Sequence, residues 1–138
     1  MKKYLVLSNL YKFIIKSAKL NRGDTLKIYT EYRNGILFVR LSGSLTKNTF
    51  AKLNNKVTRM VNDIGIRNVV LNIEKLNKID FKGVDSLLYN CERIKKSEGR
   101  IFLCGNNDSI NNVLRRRHVF NYINEISNEL CAMHLMKG

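Results

Sequence analysis

Histidine, cysteine and arginine are the residues of this sequence whose types could do chemistry, and their spacing argues against most of it. His118 and His134 stand apart in the chain, and neither has a carboxylate or thiol partner at a recognisable spacing. A metal centre or an acid–base pair needs converging groups, so both histidines read as structural. Cys91, Cys104 and Cys131 are widely separated, odd in number and make no CxxC pair. They form neither a zinc pattern nor a disulfide framework, which points to a reducing, cytoplasmic setting. Cys91 and Cys104 fall at inward positions of an expected helix and strand, as small core hydrophobes do. The sequence holds no GxGxxG, no GxxxxGK[ST] and no GxSxG. With no nucleophile–base pair legible, the expectation is a non-catalytic protein that needs no metal and no cofactor.

The remaining chemistry is charge. The 138 residues carry 25 Lys and Arg against 11 Asp and Glu, a formal charge of +14. Such a field favours polyanions and acidic protein surfaces without choosing between them. Arg115, Arg116 and Arg117 close a short expected helix, where cations suit the helix dipole. Residues 1–22 hold Lys2, Lys3, Lys12, Lys16, Lys19 and Arg22 and no acid. Within them Tyr4, Leu7, Tyr11, Ile14 and Ala18 recur at helical spacing, which predicts a basic amphipathic helix, docked on the domain or lying on an anionic membrane. No apolar run approaches the roughly 20 residues of a membrane span. Ser8, Asn9 and Lys12 interrupt the opening apolar stretch and no A-x-A site follows, so no signal peptide is expected. No helix-turn-helix, RNP or zinc-finger pattern is present, so nucleic acid is not the expected partner.

The elements that must position these groups alternate. Leu26 to Tyr32 and Ile36 to Leu41 read as strands joined at Asn34-Gly35, the strongest short hairpin signal. Ser42 to Thr46 reads as a turn, with Thr46 or Asn48 capping a helix over Thr49 to Ile64 that Gly65 closes. Asn68 to Ile73 is a buried strand and Lys75 to Asp80 a loop. Gly83 to Glu98 is a second helix, ended by Gly99. Arg100 to Cys104 is a strand, and Asp108 or Ser109 caps a short helix. Tyr122 to Ile126 reads as a last strand and Asn128 to Met136 as a terminal helix. This order predicts an α/β domain over 26–138. Its mixed sheet starts as an antiparallel hairpin and continues with parallel strands, flanked by about four helices. Residues 1–25 form a helical extension.

One stretch identifies a family. Val69-Val70-Leu71-Asn72, then Ile79-Asp80-Phe81-Lys82-Gly83-Val84-Asp85-Ser86-Leu87-Leu88, resembles the VVLDL strand and IDSSGLGVLL loop of the STAS domain of anti-sigma factor antagonists. Leu37 to Leu45 resembles that family's second strand with its G-x-L turn, and Lys95 to Cys104 the helix end and strand that follow. The resemblance runs in order from about Leu26 to Ile126.

The resemblance implies a protein-binding module that engages an anti-sigma factor, usually an ATP-dependent serine kinase, and so regulates transcription. It also implies a switch, phosphorylation of the second serine of the DSSG loop. This sequence departs there. Asp80 and Gly83 match, but Phe81 and Lys82 stand in the places of the two serines, with Lys82 at the phospho-acceptor position. Ser44 and Thr46 replace the acidic residues of the family's G-E-L-D turn. A regulatory loop of Asp80, Phe81, Lys82 and Gly83 without the serine switch is therefore expected. Its partner surface would comprise Ser44, Leu45, Thr46, Lys82 and Val84. Thr46 is a candidate for a displaced acceptor, and Ser86 a weaker one. The alternatives are a membrane-associated STAS module of a transporter or sensor, contacting anionic lipid through residues 1–22, and a nucleotide- or nucleic-acid-binding protein.

Overall fold

The computed structural model describes residues 24–105 and 107–136. The expected helix over Tyr4 to Ala18 lies outside them. Strand β1 (Leu26–Arg33) turns at Asn34-Gly35 into β2 (Ile36–Leu45). Both turn residues have positive φ, 54° and 78°, the left-handed pair that a tight hairpin requires. Helix α1 (Phe50–Arg59) widens into a π turn over Met60–Ile64, and β3 (Asn68–Ile79) follows. Then come α2 (Phe81–Lys96), β4 (Arg100–Cys104), α3 (Asp108–Arg116), a 3-10 turn at Val119–Asn121, the two-residue β5 (Asn124–Glu125) and α4 (Glu129–Leu135). The sheet order is β1-β2-β3-β4-β5, antiparallel between β1 and β2 and parallel thereafter.

Strand alternation divides the core between the two faces of the sheet. Leu37, Val39, Leu41, Val69, Leu71 and Leu103 face Leu53 and Val57 of α1, Leu87 and Ile94 of α2, and Leu114 of α3. Ile36, Phe38, Val70 and Cys104 face Ala132 of α4 and, one residue past it, Met136. The α/β mixed sheet expected from the sequence is therefore present, and among the described residues three α-helices lie on one face and a fourth on the other.

Several boundaries differ from expectation. The segment Ser42 to Leu45, expected as a turn, is strand, and so is Lys75 to Ile79, expected as a loop. The two extensions pair with each other, Ser42 with Lys75 and Leu45 with Ile79, across two register shifts. Each irregularity inserts a residue, so inward positions in β3 fall at Ile73, Leu76 and Ile79, spaced by three. A period of three hides a strand from a search for alternation. Helix α2 begins at Phe81, not Gly83, because Asp80 caps it. After α2 the left-handed residue is Glu98 (φ 62°) rather than Gly99. Thr49 and Asn107 occupy the cap positions of α1 and α3 that the sequence assigned to their neighbours. The last strand is cut to two residues by the 3-10 turn before it.

Candidate functional site at the paired ends of β2 and β3

Because β2 and β3 run parallel and end in register, α1 and α2 start side by side at the C-terminal ends of these two strands, which form one rim of the sheet. Asp80 ties the two starts together. Its Oδ1 accepts the Gly83 N–H at 2.9 Å, capping α2, and its Oδ2 accepts the Lys47 N–H at 2.9 Å in the loop before α1. The Asp80 N–H in turn reaches the Leu45 carbonyl at 3.3 Å. One carboxylate thus satisfies an orphan donor of a helix terminus and fixes the neighbouring loop.

Gly83 is required by space rather than by φ. A Cβ built there would lie 2.0 Å from the Leu45 carbonyl oxygen and 2.7 Å from Ile79 Cγ1. The first turn of α2 therefore packs directly on the end of β2, a closeness only glycine permits.

The structure brings Ser44, Leu45, Thr46, Asp80, Phe81, Lys82, Gly83 and Val84 to this one edge, but it does not expose them equally. Ser44, Leu45, Thr46 and Val84 are buried, at 1% exposure or less. Thr49 Oγ1 accepts the Thr46 N–H at 2.9 Å and donates to the Ser44 carbonyl at 2.8 Å. Thr46 Oγ1 accepts the Asn48 N–H at 3.3 Å. These residues shape the edge from beneath and cannot offer side chains to a partner in this conformation. Ser86 is buried as well, and its hydroxyl donates to Asn54 Oδ1 at 2.6 Å between α1 and α2.

What reaches the surface is Lys47 and Asn48 from the loop before α1, and Phe81, Lys82 and Asp85 from the start of α2. Phe81 is 64% exposed, and the Arg117 guanidinium lies 4.1 Å from its ring centroid. The Lys82 ammonium lies 5.8 Å from the Phe50 ring centroid and, among the described residues, meets no carboxylate at ion-pair distance. A cation in the first turn of a helix opposes the dipole by about 0.3–1 kcal/mol. Contact with an aromatic face returns about 0.5–1 kcal/mol at an exposed site. The two are comparable, so Lys82 is tolerated where an anion would be favoured. Beside this edge Asp24 accepts from Lys78 Nζ at 2.9 Å and from Asn48 Nδ2 at 2.6 Å. Those bonds hold its carboxyl below its ordinary pKa.

Sequence reasoning missed the parts played by Lys47, Thr49, Phe50 and Arg117. Thr49 was legible as a hydroxyl before a helical stripe; the ring contacts carry no sequence signal. The other candidate groups lie elsewhere. His118 sits between α3 and the 3-10 turn, and His134 in the last turn of α4. Cys104 is buried between sheet and α4, and desolvation pushes its thiol up to about 12. Burial raises Cys91 too. Both thiols are therefore held as neutral core groups. Among the described residues no three His, Cys, Asp or Glu side chains gather as metal ligands, and no helix is long and apolar enough to cross a membrane.

Comparison with known proteins bears on this geometry. Residues 27–132 match the STAS domain. An anti-sigma F factor antagonist of Paenibacillus polymyxa is 25% identical over 108 residues, covering 78% of this chain and 92% of that protein. The unphosphorylated form of the anti-sigma factor antagonist SpoIIAA superposes with a TM-score of 0.65 at 17% identity, over 83% of this chain and 99% of that one. A sulfate transporter family protein from Wolinella succinogenes gives a TM-score of 0.65 at 16% identity, over 76% of this chain and 87% of that one. The two structural matches are likenesses of fold.

Proposed function

The chain belongs to the STAS domain family, with homology to anti-sigma factor antagonists, and on that premise we propose that it is a protein-binding regulator whose switch position carries a fixed positive charge. In this reading the chain engages an anti-sigma factor of the serine-kinase type in the cytoplasm, and so frees a sigma factor. The contact edge is the one built on Asp80, with Phe81, Lys82 and Lys47 as its exposed side chains and Ser44, Leu45, Thr46, Gly83 and Val84 as its frame.

The observation that carries the proposal is the exposed, carboxylate-free Lys82 in the first turn of α2. A serine there would accept phosphate beside free helix N–H groups, where negative charge is favoured. The added charge would then oppose an interface by repulsion and desolvation. A lysine has no hydroxyl to esterify. Buried Thr46 and Ser86 do not replace it. The module therefore binds without the ATP-driven release step, and its partner meets a cation at the centre of the contact.

The test is titration of the anti-sigma kinases of the parent organism against the wild-type chain and against Lys82→Glu. Saturable binding by one kinase, weakened about tenfold or more by the charge reversal, is the expected result. If no anti-sigma kinase binds, and the chain instead floats with anionic vesicles through residues 1–22, the membrane-module reading replaces this one.

A further inference from the structure

A groove of about 630 Å³ runs between α2 and the connection from α3 to β5. Nothing in the reading above uses it, and of the Arg115-Arg116-Arg117 run that ends beside it only Arg117 has been given a contact. We propose that this groove is a docking site for an acidic protein segment that carries one bulky apolar side chain. The inference deepens the proposed function, because it rests on the chain being a binding module and assigns the chemistry of what is bound.

The floor is apolar, made by Leu88 and Cys91 on α2, with Tyr122 as a wall at 58% exposure. A concave apolar surface of this size takes an anchoring side chain. The walls are pinned. The Tyr122 carbonyl accepts from Lys95 Nζ at 2.6 Å and from Cys91 Sγ at 3.4 Å, so α2 and the connection are held at a fixed separation. A pre-formed cleft loses little entropy on binding.

The rim selects the partner's charge. Lys95, Lys96 and Arg117 stand against a single carboxylate, Glu92, which is paired with Lys96 at 3.0 Å. Lys95, bonded to the Tyr122 carbonyl, and Arg117, stacked on Phe81, have no carboxylate partner among the described residues, so their charge is uncompensated at the rim, and Arg117 has the planar fork that holds carboxylates in bidentate fashion. Arg117 also stacks on Phe81, the residue before Lys82. The groove and the Asp80 edge thus meet through the Arg117 side chain. Cations rimming an apolar floor fit an acidic peptide with an anchor better than a nucleic-acid backbone, which wants a row of phosphate contacts.

Amide chemical shifts of the full 138-residue chain test this in titrations with three probes. The first is a short synthetic peptide with one phenylalanine flanked by glutamates, the second the same peptide with lysines for the glutamates, and the third a short single-stranded oligothymidine. The expected result is saturable shifts at Leu88, Cys91, Lys95 and Tyr122 with the glutamate peptide alone. Arg117→Glu should weaken that binding about tenfold or more, while Lys27→Glu, on the edge strand β1, leaves the groove shifts in place. Equal shifts with both peptides, no shifts in the groove, or shifts only with the oligonucleotide overturn the inference. None of these removes Lys82-dependent binding of a kinase, so failure here is separable from failure of the proposed function.

Discussion

The Asp80 carboxylate accepts the Lys47 amide N–H at 2.9 Å across 33 positions of sequence, while its other oxygen caps α2 at Gly83. The loops that begin α1 and α2 are thereby one mechanical unit, and any partner of the Phe81–Lys82 surface reads a geometry set by this side chain.

Asp80→Ala removes both bonds. A lost N-cap costs about 0.5–2 kcal/mol, and the freed Lys47 N–H lies in an exposed loop where water replaces the acceptor. The expected loss of stability is about 1–2 kcal/mol, read from urea midpoints at unchanged m. Asp80→Asn keeps an acceptor at the cap and should fall between the two. A variant as stable as wild type would show that the tie is not made in solution.

Gly83→Ala separates close packing from helix propensity. Alanine is favoured over glycine in a helix by about 1 kcal/mol. Here the new methyl meets the Leu45 carbonyl, and the backbone must shift, at a cost of about 1–3 kcal/mol. The expected sign is net destabilisation in thermal melts, together with weaker partner binding. A stabilised variant would contradict the direct packing of α2 on β2.

Lys82→Glu should separate folding from binding. A carboxylate in the first turn of α2 suits the dipole, so stability should rise by up to about 0.5–1 kcal/mol, against the loss of the contact with the Phe50 ring. Partner affinity should nevertheless fall. A parallel loss of stability and affinity would mean that Lys82 is a structural residue and not a contact.

Acid should loosen α4 before the rest. Glu129 accepts from Arg40 Nε and Nη2 at 2.9 and 2.8 Å and from Asn72 Nδ2 at 2.8 Å. The Arg40 bonds hold its carboxyl below its ordinary pKa. A depressed carboxylate stabilises the fold fully above its unfolded value, about pH 4.3, and that contribution is lost as pH falls through the lower, folded value. Glu129→Gln should therefore cost about 1.5–3 kcal/mol at neutral pH. Its disadvantage should shrink as the pH drops below 4 or so. A gap between the two proteins that stays constant with pH, followed by chemical denaturation, would contradict the assignment.

Much of the fold was legible because its signals are local. Asn34-Gly35 marked the hairpin, and the apolar stripes from Leu53 to Val61 and from Val84 to Ile94 marked two helices. What stayed hidden depends on contacts between distant residues. The outer half of β3 carries Glu74, Lys75, Asn77 and Lys78 and is strand only because β2 extends alongside it. Arg40 and Glu129 are 89 positions apart, and nothing local to either names the other. The candidate edge was legible as a set of residues but not as a surface. Ser44 and Thr46 look like exposed turn hydroxyls in the sequence, yet Thr49 ties their backbone groups inward. Phe81 was legible as part of the loop, but nothing local to it says that Arg117 would lie over its ring.

A binding edge that phosphorylation cannot switch is open to direct measurement. The chain is incubated with its anti-sigma kinase partner and ATP, and then both its intact mass and its affinity for the kinase are determined. The wild-type chain should gain no phosphate and keep its Kd, whereas Lys82→Ser under the same conditions gains one phosphate and is released. Phosphate on the wild-type chain, with release from the kinase, would contradict this expectation.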